Sequence, residues 1–61
     1  MKIIFKQGIA TVNLSDGRTA TIYENRSGYY KRMMYTLAIN DEIIFTRAGL
    51  DKIRQYLYSI M

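Results

Sequence analysis

Catalysis near neutral pH needs groups that exchange protons or attack carbon, and this chain offers few of them. It has no histidine and no cysteine, so the commonest general base, metal ligand and thiolate nucleophile are missing. The remaining acid/base candidates are Asp16, Glu24, Asp41, Glu42 and Asp51. Asp16 and Asp41 fall in expected turns, where aspartate serves the backbone. Glu24 closes a strand, Glu42 flanks a turn, and Asp51 falls in the first turn of a helix. No spacing forces any two of them together, so each is read as structural or solvated. There is no phosphate-binding glycine loop, no dinucleotide fingerprint and no Asp-rich calcium loop. A chain of 61 residues also has little room for a pocket of roughly 300–1,000 Å³. No catalytic residue, metal or cofactor is expected, and the chain is read as a non-enzyme.

Binding chemistry is better supplied. Residues 25–35, Asn-Arg-Ser-Gly-Tyr-Tyr-Lys-Arg-Met-Met-Tyr, hold three basic side chains, three tyrosines, two methionines and no acid. Arg26, Tyr29, Tyr30, Lys31 and Arg32 are the candidate binding residues. Tyr, Met and Arg are the types enriched at protein interfaces, where they anchor hot spots. The same set suits nucleic acid, because basic groups neutralise phosphates and tyrosines stack on unpaired bases. A plainer account makes the segment a solvated hairpin tip running into a strand with Met33 and Tyr35 in the core. Lys2, Lys6 and Arg18 lie in or beside the first hairpin, where some could join Lys31 and Arg32 on an exposed sheet face with Thr21 and Tyr23.

Size and composition frame these alternatives. A single domain is expected, and a chain this short buries only about 60% of its unfolded surface. With no disulfide available, tight packing, a homodimer or a partner must supply the remaining stability. Apolar residues make up 49% of the chain, enough for an ordered core. Nine Lys and Arg against five Asp and Glu give a net charge of +4, which steers the protein toward anionic partners without choosing one. The apolar run at Ile3, Ile4 and Phe5 is too short for a signal peptide core, and no run approaches a membrane span. A cytoplasmic location and no membrane partner are expected. This size and composition are common among small proteins of phages and mobile elements, an association that no motif supports.

The elements that would position these residues are α+β. Residues 2–6 read as a first strand, followed by a break at Gln7-Gly8 and a second strand over 9–14. Ser15-Asp16-Gly17 is the clearest turn, and a third strand covers 18–24. A two-residue turn there would set Val12 opposite Thr21, apolar against polar. A three-residue loop with Gly17 in the left-handed region pairs Val12 with Ala20 and Ala10 with Ile22, leaving Thr11, Asn13, Thr19, Thr21 and Tyr23 on the other face. A long strand is expected over 29–39, then a turn at Asn40-Asp41 and a short strand over 42–45. Leu37 would meet Ile44 across a two-residue turn or Phe45 across a three-residue one. From Thr46, the expected N-cap, the period changes. Leu50, Ile53, Leu57 and Ile60 form a narrow apolar stripe on a helix of about four turns. Tyr56 and Tyr58 flank that stripe, and either a wide footprint or a dimer contact would use them. The expected fold is an antiparallel meander of four to five strands with one C-terminal helix packed on one face.

Overall fold

The computed structural model describes residues 2–25 and 33–61. Four strands, β1 (Ile9–Asn13), β2 (Thr19–Asn25), β3 (Met34–Ile39) and β4 (Glu42–Ala48), precede one helix, α1 (Leu50–Ile60). The strands form one antiparallel sheet in the order β1-β2-β3-β4, so every connection joins spatial neighbours. This is the expected meander, with four strands.

The first hairpin has the bulged register. Val12 lies opposite Ala20 and Ala10 opposite Ile22. Gly17 takes φ of +92°, its N–H donates to the Leu14 carbonyl at 3.1 Å, and Leu14 N–H donates to Arg18 O at 2.8 Å. A Cβ at Gly17 would meet no atom within 4 Å, so glycine is present for its backbone freedom and not for space.

Register then propagates across the sheet. Ile22 faces Leu37 and Ala20 faces Ile39, which places Ala10, Val12, Ala20, Ile22, Leu37 and Ile39 on one side. The helix lays Ile53 and Leu57 against these residues. Ile22, Leu37, Ile53 and Leu57 are the largest fully buried side chains, each contributing about 1.5–3 kcal/mol of transfer free energy. Phe45 fastens the helix to β4, with its ring edge-to-face with Tyr56 at 5.2 Å and the Lys52 ammonium 5.0 Å from its centroid.

Three expectations need correction. Residues 2–6 do not form a strand, since only Lys6 pairs with the sheet, through a bridge to Ile9 across the Gln7-Gly8 turn. That turn has positive φ at both residues (54° and 80°), as a two-residue type I′ turn requires. Ile3 and Phe5 pack on the core, with the Phe5 ring 5.4 Å from Tyr35 on β3. The cause is coverage: an 11-residue helix is about 16 Å long and cannot by itself roof a four-stranded apolar face.

The second correction concerns β4. Asn40 and Asp41 form a two-residue turn with φ of 49° and 68°, pairing Ile39 with Glu42 and Ala38 with Ile43. Leu37 nevertheless faces Phe45, because the register shifts between Ala38 and Leu37 and again before Tyr35 meets Ala48. A short turn and a bulge coexist, which the two simple registers do not allow.

The third is the helix start. Thr46 lies inside β4, and the N-cap is Gly49, extended at φ −71° and ψ 157° with no side-chain cap. Pairing of Ala48 with Tyr35 holds these residues in the sheet until the core is closed. Of the expected strand over 29–39, the part at 29–32 lies outside the described residues.

Gly17→Ala should lower unfolding free energy by about 1–2 kcal/mol in urea denaturation, with Gly17→Asn costing less. Equal losses would place the cost in a clash and not in φ. Leu57→Ala should cost about 2–5 kcal/mol, a large share of the roughly 3–9 kcal/mol a chain of this length commands.

Candidate functional site

Side chains alternate across a strand, so the register that buries one face also defines the other. On the side away from α1, Ile9 stands opposite Tyr23 and Thr36 follows on β3. The next row holds Thr11, Thr21, Ala38 and Ile43. Asn13 and Thr19 form the row at one end, and Asn25 with Met34 the row at the other. Over β1, β2 and β3 this face carries no Lys, Arg, Asp or Glu. Ile43 at 61%, Ile9 at 45% and Tyr23 at 39% relative exposure are its large open side chains.

Asn25, Thr36 and Thr46 lock one end of this face. Asn25 Nδ2 donates to Thr36 Oγ1 at 2.7 Å and to the Thr46 carbonyl at 2.6 Å. Thr36 Oγ1 lies 2.9 Å from the same carbonyl, to which it donates. Thr46 sits in the stretch where the β3–β4 register shifts, so its carbonyl draws on side chains where a regular ladder would supply a backbone N–H. At the opposite end Asn40 Oδ1 accepts from Thr19 N–H at 3.0 Å, and Asn40 N–H donates to Thr19 O at 3.0 Å. These bonds fix both ends of an uncharged surface.

Charge is placed elsewhere. Arg18 Nε donates to Asp16 Oδ2, and Arg18 Nη2 reaches the carbonyl of Ile60 at the helix C-terminus, 3.4 Å away. It therefore serves the helix side and does not join Thr21 and Tyr23. Lys2 and Lys6 belong to the N-terminal arm, outside the sheet rows. The backbone N–H of Arg18, bonded to Asp16 Oδ1 at 3.1 Å, holds the Asp16 carboxyl below its ordinary value, and the Arg18 side chain adds to this.

A cavity of about 270 Å³ opens on the helix side, lined by Arg18, Ile39, Asn40, Glu42, Ile44 and Tyr56. It is smaller than ordinary ligand pockets, and its one cation is already bonded to Asp16 and to the helix end. No group of three or more His, Cys, Asp or Glu gathers among the described residues. No helix among them is long and apolar enough to cross a membrane.

The five candidate binding residues, Arg26, Tyr29, Tyr30, Lys31 and Arg32, lie outside the described residues. Asn25 and Met33, on either side of them in the chain, are described; Asn25 is at the hydrogen-bonded end of the open face, and Met33, a core residue in the plainer account, is instead exposed and precedes β3. Ile9 and Ile43 are open-face residues that sequence reasoning missed. Ile9 shares the face of Thr11 and Asn13 by alternation, a signal that was available. Ile43 reaches this face through a register that the chain alone leaves open.

Thr36→Val should cost about 1 kcal/mol in urea denaturation by removing a hydroxyl shared between β2 and β4. Asp16 gives a pH test. Its folded-state value is lowered, so its contribution is fully present above the ordinary 3.8 and is lost as pH falls through the lower folded value. The stability gap between the parent and Asp16→Asn should therefore exist at neutral pH and close as the pH falls below 3.8 and through that lowered value. A gap independent of pH would remove the charge from the explanation.

No family model, curated protein or solved structure matches the chain.

Proposed function

We propose that this chain is a small binding protein that acts stoichiometrically, as a regulator or inhibitor of another protein, and docks through the open face of its sheet. The charge-free face over β1, β2 and β3 carries the reading. In a chain with 23% charged residues, ten open-face positions on three strands hold none. Interface cores are depleted of charge, because desolvating an ion without a partner is costly. A target can seat on Ile9, Tyr23 and Ile43 and bury apolar area while the hydroxyls and amides around them exchange hydrogen bonds.

The chain between β2 and β3 supports the reading by composition alone, since it supplies the residue types that anchor hot spots. Nucleic acid is the weaker match. It calls for basic groups on the sheet face, and among the described residues Lys2, Lys6 and Arg18 lie away from it.

A photo-crosslinking side chain at Tyr23, compared with one at Gln55 on the outer side of the helix, tests the proposal in the source cell. A protein adduct of defined mass at Tyr23 and none at Gln55 is the expected result. A nucleic-acid adduct at Tyr23, or equal labelling at both positions, would overturn it.

A further inference from the structure

The two edges of the sheet differ. β4 is an edge with two register shifts and carries Glu42 and Arg47, devices that discourage a further strand from adding. β1 has none of them. Residues 9–15, Ile-Ala-Thr-Val-Asn-Leu-Ser, contain no charge and no proline, and β1 is bonded on one side to β2.

Backbone direction follows from the hydrogen bonds. Gly8 O accepts from Glu24 N–H at 2.9 Å and Leu14 N–H donates to Arg18 O, so even-numbered residues of β1 face β2. Ile9 faces outward, exchanging two bonds with Lys6 at 2.9 and 3.1 Å. Thr11 and Asn13 therefore also direct N–H and C=O outward, and no described residue pairs with them there. The open window is bounded by the Lys6 bridge at Ile9 and by the loop after Leu14. It spans residues 10–14 and is symmetric about Val12.

From this window we infer that β1 is a self-pairing edge, which joins two copies of the chain as antiparallel strands about a two-fold axis at Val12. A window symmetric about one residue is what an isologous contact requires. Thr11 of each copy exchanges N–H and C=O with Asn13 of the other, four main-chain hydrogen bonds in all. Val12 meets its own counterpart, and Ala10 meets Leu14, so the two apolar faces join into one. The chain carries +4, yet the two strands meet without a charged side chain on either, which avoids like-charge repulsion at the contact. The same register brings the Asp16 turn of one copy toward Lys6 of the other, acid toward base. Both helices lie on one side of the resulting eight-stranded sheet, and both open faces lie on the other. The dimer therefore leaves the proposed docking face accessible, and the two ideas stand or fall separately.

Sedimentation velocity from about 10 μM to 1 mM, with hydrogen exchange at both ends of that range, tests the pairing. The parent should shift toward twice its 7.2 kDa mass, with exchange at the Thr11 and Asn13 amides slowing about tenfold or more as concentration rises. Thr11→Pro removes an N–H that the monomer does not use, and proline is tolerated on an edge strand. This variant should stay monomeric throughout with its circular dichroism unchanged. If Thr11→Pro unfolds, the exchange of the parent's own two amides still decides the matter. A parent monomeric at 1 mM, a Thr11→Pro variant that still dimerises, or rates at the two amides independent of concentration would each overturn the assignment.

Discussion

Gly17 holds φ at +92°, and the extra loop residue this permits brings Val12 opposite Ala20 where a two-residue turn would present Thr21. The β2–β3 register continues the same face. Ile22 then meets Leu37, Ala20 meets Ile39, and the helix finds a continuous apolar floor. Slipping the hairpin by one residue would turn Val12 and Ala10 outward and bring Thr11 and Asn13 against α1. Over β1 and β2 the uncharged open face and the apolar core are two results of this register, since each strand assigns its residues alternately to one or the other.

Core coverage is the second constraint. The helix is short, and only Ile53 and Leu57 of its stripe are fully buried. The rest of the roof comes from the N-terminal arm, whose Phe5 reaches across to Tyr35. An arm committed to the core cannot also serve as a fifth strand, so it leaves the sheet after one bridge at Lys6. Among the described residues none pairs with the outer edge of β1 beyond Ile9, because Ile3 and Phe5 are drawn over the core.

At the far edge, irregularity replaces coverage. The shifts in β4 let Phe45 meet Leu37 and Ala48 meet Tyr35 although the Asn40-Asp41 turn is short. They also disrupt the ladder around the Thr46 carbonyl, and Asn25 and Thr36 supply the missing donors. A polar cluster on the open face thus stabilises a backbone defect that the core requires. Local propensity and global packing disagree at β4, and packing prevails.

By itself the sequence determined whatever depends on alternation and on glycine. The 15–17 loop, the pairing of Val12 with Ala20, the apolar faces of β1, β2 and β3, and the Ile53–Leu57 stripe of α1 all follow from period and turn chemistry. The five candidate binding residues were likewise singled out by residue type alone, and they fall outside the described part of the fold. Tertiary structure decided what alternation leaves degenerate. Thr46, Arg47 and Ala48 have no pattern that separates a strand end from a helix start, and the pairing of Ala48 with Tyr35 settles it. Ile3 and Phe5 alternate like a strand, but the helix leaves apolar floor uncovered and draws them over the core. Arg18 could have faced either side, and the carbonyl of Ile60 at the end of α1, 42 positions on, lies within its reach. In each case the deciding partner lies far along the chain, where no local pattern can register it.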